Sequence, residues 1–391
     1  MPVIGFFCRY PNLQQGVDPG SIFNVSLTRV KAGLLVKGTG LAVLAGGTFR
    51  SCQRPRCPGL TPRFSLPYEG VMVKHLLAIL CLAAAGFAET HTIYPDPHSR
   101  VFSAYKTPVL RIKGVRHIQH PYVYPESGNP LMGPFYVEEA DHGDALEVRL
   151  DRVRLNRDWG YTSYRLSPAV LNAGTPLYEN FYKMDALRPQ RADLIPWDLD
   201  LARGVASPRL LQGSGVKIEL PVRPMLGCIG VAPPGERVET SGPASTHGGN
   251  MDYNDIVEGT TVYFPVYHKG AYFYIGDGHA LQGDGEGLGN GVETSLDVQF
   301  TARVHKGKRL SIPRLVNDTH LVSIGSQPEF SSSMDQGLRM ANTDMLRWLT
   351  DDYKLTQPEA HLLLGTVVEH KIVTYFGTIS TLVAKKYLPR R

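Results

Sequence analysis

The chain has 391 residues, of which 42% are hydrophobic and 20% are charged, and it carries a formal net charge of +5. This composition is typical of a globular protein with two or three structural units, and it excludes a disordered chain. The 40 glycines and 29 prolines favour a turn-rich β protein over a helix bundle.

The first 88 residues have the pattern of a leader. Lys74 supplies a positive charge, residues 76–85 are apolar, and Gly-Phe-Ala at 86–88, with a small residue at each end, is typical of a cleavage site. We therefore predict that residues 72–88 are a secretory signal peptide and that the mature protein is secreted or periplasmic. Residues 1–71 are then a non-native upstream extension. The alternative is a genuine disordered leader followed by a buried apolar helix.

Without this leader the chain changes character. Residues 89–391 contain 32 basic and 34 acidic side chains, so the basic balance belongs to the leader and nucleic-acid binding is not expected. They also contain no run of about 18 apolar residues, so no membrane contact is predicted for the mature form. Cys228 is their one cysteine, which excludes an intramolecular disulfide and favours a core or a bound metal as the source of stability.

Alternating apolar and polar residues predict strands along most of the mature chain. They occur in "FYVEEA", "ALEVRLDRVRL", "SGVKIELPV", "TTVYFPVYHKGAYFYIGDG", which reads as two strands joined at 268–270, and "TSLDVQFTARVHKG". Helical spacing appears later, with Ser333 and Gln336, then Thr356 and Glu359, as helix-start pairs. We predict a mainly β fold: a β-sandwich-like body over 89–325 and a smaller helix-containing α+β part over 326–391.

Two glycine-rich segments concentrate potential ligands. In "GDGHALQGDGEG", residues 276–287, Asp277 and His279 are two residues apart, so an extended backbone points both to one side, and glycines allow Glu286 to fold back. The segment "HGGNMD" offers further donors, namely His247, Asn250 and Asp252. A mixed set of histidine and carboxylates is typical of a catalytic zinc site, where a carboxylate beside the ion can move the proton of a water molecule.

Other interpretations of these residues stay open at this point. Glycine–aspartate runs form ordinary turns, and an isolated histidine such as His247 is more often a surface or hydrogen-bonded residue than a ligand. Asp277 and Glu286 also suit the acid and base of a glycoside hydrolase. A third possibility is a non-enzymatic β-sandwich stabilised by calcium, although His279 is a poor calcium ligand. Leu281 stands where a calcium-binding EF-hand loop requires a carboxylate.

Long segments of the chain resemble the acetamidase/formamidase family. They are "GNPLMGPFYVEEADHGDALEV", "MLGCIGVAP", "HGGNMDYNDIVEGTTVYFPVYHKGAYFYIGDGHALQGDGEG" and "GVETSLDVQFT". The similarity extends from about His98 to the C-terminus. It implies hydrolysis of a small aliphatic amide to a carboxylate and ammonia, on a mainly β fold with a metal-containing site, in a homodimer.

The resemblance also implies roles for individual residues. It assigns a divalent metal, zinc or alternatively calcium, to Asp252, Asp277 and His279. Of these, Asp277 and His279 are also counted as catalytic, together with Glu286 as the general base. Asn250, Gln282 and His247 are assigned to binding or orienting the amide.

One region departs from the family pattern. A strand with an acidic residue is expected there, but no Asp or Glu occurs between Arg100 and Glu126. Either His117 or His120 takes the place of that acid, or activity is impaired. The alternative is a shortened surface hairpin without catalytic effect.

Overall fold

The computed structural model describes residues 99–112, 116–119, 129–172, 174–175, 194–210, 214–326 and 333–389. The upstream extension, the signal peptide and His120 lie outside these residues. None of the helices in the described part of the chain is long and apolar enough to cross a membrane.

Within the described residues, the chain is built mostly of short strands. The strands are β1 (Val101–Phe102), β2 (Leu110–Ile112), β3 (Arg116–Gln119), β4 (Leu131–Val137), β5 (Ala145–Leu155), β6 (Trp159–Ser163), β7 (Leu194–Asp200), β8 (Val205–Pro208), β9 (Leu220–Pro221), β10 (Met225–Gly230), β11 (Glu239–Thr240), β12 (Ala244–Ser245), β13 (Gly248–Asn250), β14 (Thr261–Pro265), β15 (Phe273–His279), β16 (Glu293–Thr294), β17 (Leu296–His305), β18 (Arg314–Val316), β19 (His320–Gly325), β20 (Glu369–Thr374) and β21 (Thr378–Ala384). The α-helices are α1 (Met334–Asp351) and α2 (Gln357–Val367), and 3-10 turns occur at Pro168–Val170 and Lys385–Tyr387.

Most of these strands form two sheets. The first, here called the site sheet, has the order β12-β13-β10-β15-β16-β6-β7-β8-β9, with β4 also pairing with β15 and β2 pairing with β4. The second sheet has the order β20-β21-β19-β18-β14-β5-β17-β3. Strands β14 and β15 are neighbours in sequence but belong to different sheets, so the chain crosses between the sheets near residues 268–270.

The two sheets share one hydrophobic core. Phe135 in β4 and Phe273 in β15 pack against Phe300 in β17, with ring centroids 5.5 and 5.3 Å apart. Phe264 in β14 lies 6.0 Å from Phe273, so aromatic rings of both sheets interlock. Side chains on two inner faces that interdigitate in this way define a β-sandwich. The prediction of a mainly β, sandwich-like fold is confirmed.

Burial explains which alternating segments became strands. β5 and β17 pair antiparallel over their whole length, from Ala145 opposite His305 to Leu155 opposite Leu296, and alternate residues are buried in the core. In "SGVKIELPV" the prediction was wrong for most of the segment, because only Leu220–Pro221 form a strand. Val216 is 74% exposed there, so the apolar side chain of this segment does not pack into a core that would stabilise a longer strand.

The C-terminal helices begin at the predicted residues. The Ser333 hydroxyl accepts a hydrogen bond from the Gln336 backbone N–H. Thr356 and Glu359 form a complete capping box, in which each side chain bonds the backbone of the other residue. Ala341, Met345 and Leu349, which are spaced four residues apart along α1, are buried. α1 packs against β19 and β21 of the second sheet.

Candidate active site

Strand pairing in the site sheet gathers three of the predicted metal ligands. β15 carries Asp277 and His279, and β10 lies between β15 and β13. Asp252 follows β13, and its backbone N–H donates to the Gly227 carbonyl in β10 at 3.1 Å. One ligand atom from each of Asp252, Asp277 and His279 can be chosen so that all three lie within 4.8 Å of one another, and all three residues are buried.

The atoms that face one another in this cluster have no hydrogen-bond partner among the described residues. They are Asp252 Oδ1, Asp277 Oδ1 and His279 Nε2. His279 Nε2 lies 3.4 Å from Asp277 Oδ1 and 3.1 Å from Glu293 Oε1, without hydrogen-bond geometry to either. Because buried polar atoms are nearly always paired, this convergent set fits a bound cation.

Gln282 holds the histidine in one orientation. His279 Nδ1 lies 2.8 Å from Gln282 Oε1, and the amide nitrogen of Gln282 donates to the Asp252 carbonyl at 2.5 Å. Because the amide oxygen can only accept, Nδ1 carries a proton, and Nε2 is the nitrogen that would bind a cation in place of its own proton. This is the arrangement that metal-binding histidines usually show.

Two asparagines hold the outer oxygens of the aspartates. Asn250 Nδ2 donates to Asp252 Oδ2 at 2.5 Å. Asn129 Nδ2 donates to Asp277 Oδ2 at 2.7 Å and to Asn250 Oδ1 at 2.9 Å. Each aspartate therefore has one oxygen fixed by an amide, while its other oxygen is left facing the cluster.

The backbone of the cluster adopts an unusual conformation. Asp252, Asp277 and Glu286 have φ angles of 45°, 58° and 50°, in the left-handed region that non-glycine residues seldom occupy. A Cβ at Gly227 would collide with the carboxylates of both Asp252 and Asp277, so only glycine allows this approach. Strained backbone that is held by its surroundings is typical of functional sites.

The site holds an excess of buried acid. Burial raises the pKa of Asp252 well above its usual value, and the charges of Glu286 and Asp277 add to the rise. Burial likewise raises the pKa of Glu286 to about 8 and that of Glu293 to about 7, in both cases against the opposing effect of His279. Burial lowers the pKa of His279, but Glu293 and Asp277 more than offset it, and the pKa lies well above 6.5. A concentration of carboxylates of this kind favours a cation.

The structure brings six of the seven predicted site residues together. They are Asn250, Asp252, Asp277, His279, Gln282 and Glu286, the last close enough for its charge to raise the pKa of Asp252. The seventh, His247, takes part in none of these hydrogen bonds. It packs edge-on against Phe102 with ring centroids 5.0 Å apart, and burial lowers its pKa to about 3.

Sequence reasoning missed two members of the cluster, Glu293 and Asn129. Glu293 lies directly opposite His279 in the pairing of β15 with β16. Asn129 precedes β4, which pairs with β15 on its other side. Both residues occur within the segments that resemble the family, and this was the one available signal. Neither is close in sequence to the residues it contacts.

The acid-free region and Cys228 remain to be placed relative to the site. β3, in the acid-free region, pairs with β17 at the edge of the second sheet, with His117 opposite Phe300, so this strand is not part of the site sheet. Cys228 is a free, fully buried thiol whose pKa is raised by burial and by the charges of Asp277 and Asp252. Such a thiol is a poor nucleophile.

Comparison with known proteins finds similarity to acetamidases and formamidases, as the sequence predicted. A family model described as the Acetamidase/Formamidase family matches residues 231–345. The crystal structure of an acetamidase from Bacillus halodurans is 27% identical, with a TM-score of 0.60, over 74% of this chain and 95% of that one. A predicted acetamidase/formamidase from Thermoanaerobacter tengcongensis is 26% identical, with a TM-score of 0.59, over 74% and 94% of the two chains.

A shorter segment is similar to a formamidase from Methylophilus methylotrophus. The two are 50% identical over 44 residues, which is 11% of this chain and 11% of the formamidase. The family match, the shared fold and the segments noted in the sequence all indicate the same relationship. The resemblance to the acetamidase/formamidase family that the sequence predicted is therefore confirmed, by the family model over residues 231–345 and by the acetamidase structures.

Proposed function

We propose that this protein hydrolyses a short aliphatic amide, of the formamide or acetamide type, with a divalent cation held by Asp252, Asp277 and His279. The observation that carries the proposal is the set of three buried ligand atoms, mutually within 4.8 Å and without hydrogen-bond partners in the described part of the chain. One imidazole and two carboxylates suit zinc, whereas calcium prefers oxygen ligands alone.

The remaining residues supply positioning and proton transfer. A divalent cation supplies Lewis acidity, which polarises an amide carbonyl and makes water a stronger acid. Glu286 is buried beside Asp252 and accepts a proton from the attacking water. The water oxygen bonds to the carbonyl carbon, the carbon–nitrogen bond breaks, and Glu286 returns the proton to the leaving nitrogen. The products are ammonia and a carboxylic acid, which loses its proton to solvent and becomes the carboxylate.

Gln282 and Asn250 act on the ligands in this proposal rather than on the amide. Both polar atoms of each side-chain amide already have protein partners, in His279 and the Asp252 backbone for Gln282 and in Asp252 and Asn129 for Asn250. His247 is separate from this network, and its role in substrate binding stays a prediction. Similarity to acetamidases and formamidases disfavours the glycoside hydrolase and calcium-binding alternatives.

The test is ammonia release from formamide and acetamide by the full chain, before and after chelation and with zinc or calcium added back. We expect activity to disappear on chelation and to return with zinc. Glu286→Gln should lower kcat by about 10²–10⁴-fold while bound metal is retained. The matched control is Glu258→Gln, since Glu258 pairs with Arg154 outside the cluster. Activity that survives complete metal removal would contradict the proposal.

Export and assembly are separate proposals. Cleavage after residue 88 predicts a mature protein that begins at Glu89, and N-terminal sequencing of the protein from its source cells tests this. A first residue well upstream of Glu89 would contradict it. The proposed homodimer predicts a doubled mass in solution, which light scattering on purified protein measures.

A further inference from the structure

A lysine from the C-terminal part contacts the segment that carries Asp252. Lys371 lies in β20, with its side chain 20% exposed. Its Nζ lies 2.8 Å from Asn254 Oδ1 and 3.3 Å from Asp255 Oδ2. It also lies 5.4 Å from the centre of the Tyr253 ring. The ammonium group thus contacts each of the three residues that directly follow Asp252.

The same ammonium group contacts the segment that carries Glu286. Lys371 Nζ lies 3.0 Å from Asp284 Oδ1, two residues before Glu286. The buried Asn254 side chain also joins the segments, because its Nδ2 donates to Asp284 Oδ1 at 2.8 Å and to the Gln282 carbonyl at 3.1 Å. We call Lys371, Asn254 and Asp284 the clasp.

Backbone contacts from β20 support the same loop. The Gly285 N–H donates to the Val373 carbonyl at 3.2 Å, and the Tyr375 N–H donates to the Gly285 carbonyl at 2.9 Å. Both bonds fix Gly285, the residue before Glu286, whose left-handed φ of 50° persists only where the surroundings impose it. The end of β20 and the clasp together therefore hold this loop from the second sheet.

We propose that Lys371 is a positioning residue, which sets the distance between Asp252 and Glu286 through the clasp. The inference rests on the proposed function, since Glu286 must act on a reactant at the ion that Asp252 helps to hold. An ammonium group donates three hydrogen bonds, so one side chain can fix acceptors from both segments. Misplacement of a reacting group by about 1 Å can cost about 10²-fold in rate, so a residue outside the cluster can control catalysis.

The kinetic test compares Lys371→Met with Lys308→Met in the full chain. Lys308 is a matched control, because its Nζ makes a 2.7 Å ion pair with Asp352 and its side chain is 33% exposed. We expect Lys371→Met to lower kcat about 10–100-fold, with KM and bound metal nearly unchanged. Lys371→Arg should recover part of the loss, and Lys308→Met should keep the wild-type kcat. An unchanged kcat in Lys371→Met would overturn the proposal.

A second measurement does not depend on catalysis. Amide hydrogen exchange in Lys371→Met should be at least about tenfold faster in residues 282–287, with β10 and β15 unaffected. Unchanged exchange in that loop, or equal acceleration throughout both sheets, would overturn the positioning role. If the wild-type protein releases no ammonia from formamide or acetamide while the exchange effect stays confined to the loop, the proposed function fails and the clasp stands.

Discussion

Two groups of buried charged side chains in the described part of the protein differ in how completely their oxygens are paired. Between β18 and α1, Arg314 donates to both oxygens of Asp344, at 2.7 and 3.0 Å. The Ser323 hydroxyl donates to Asp344 at 2.7 Å, and the guanidinium lies over the Trp348 ring at 4.7 Å. Both oxygens of this buried carboxylate therefore have partners.

The candidate active site is buried to the same degree and lacks this completeness. Asp252 and Asp277 each have one oxygen without a partner among the described residues, and neither is paired with a lysine or arginine. The backbone at both residues is also in the left-handed region. The difference indicates that Arg314 and Asp344 stabilise the folded structure, whereas the unpaired carboxylates of the site destabilise the protein unless a ligand is bound.

The largest expected effect is at the satisfied pair. Asp344→Asn leaves the buried Arg314 charge uncompensated, which should lower the free energy of unfolding by about 3–5 kcal/mol. Urea unfolding of the full chain measures this change. Asp198→Asn is the control, because Asp198 pairs with Arg209 at the surface and such pairs contribute about 0–1 kcal/mol. A loss below about 1 kcal/mol in Asp344→Asn would remove the contrast between the regions.

An aspartate-to-asparagine substitution in the site should not destabilise the metal-free protein. Asp277→Asn removes one of several repelling carboxylates, so we expect metal-free protein of this variant to be at least as stable as the wild type. Zinc at about 100 times its Kd should stabilise the wild type by about 2.7 kcal/mol and should not stabilise the variant. Thermal unfolding with and without zinc measures both effects. If Asp277→Asn destabilises metal-free protein as much as Asp344→Asn, the cluster is structural.

A pH series examines a third kind of buried group. Burial lowers the pKa of His247 from 6.5 to about 3, so the folded protein keeps this histidine neutral. Between these values the unfolded chain binds the additional proton, and stability falls as pH falls, by up to about 1.4 kcal/mol per pH unit. Comparing unfolding of wild type and His247→Gln from pH 7 to pH 4 isolates this contribution. Parallel curves for the two proteins would contradict it.

The sequence predicted the parts of the fold that depend on local pattern. Alternation of apolar and polar residues identified β5 and β17, because one face of each strand packs into the same core. Capping residues identified the starts of both helices. The spacing of Asp277 and His279 predicted that both side chains reach one point, and in the structure Asp277 Oδ1 lies 3.4 Å from His279 Nε2.

The parts that depend on pairing between distant strands could not be predicted in this way. Glu293 enters the site because β16 pairs with β15 at His279, and Asn129 enters because β4 lies on the other side of β15. Alternation along a strand shows which face is buried, but it does not show which strand lies beside it. The contact of Lys371 with Asp284, in the loop formed by residues 282–287, likewise depends on how strands distant in sequence are arranged in the two sheets.

The smallest predicted effect tests whether the C-terminal part influences the site beyond β20. Thr356→Ala removes the capping box of α2 and should lower the free energy of unfolding by about 1 kcal/mol. Thr366→Ala is the control, because the Thr366 hydroxyl bonds the Leu362 carbonyl within the same helix and alanine favours a helix there. Urea unfolding measures the difference. Neither variant should change kcat, since the hydrogen bonds and ion pair that reach residues 282–287 from the described residues of the C-terminal part come from β20 and Tyr375. A lower kcat in folded Thr356→Ala would mean that α2 also acts on the position of Glu286, and the influence of the C-terminal part would then extend beyond the clasp.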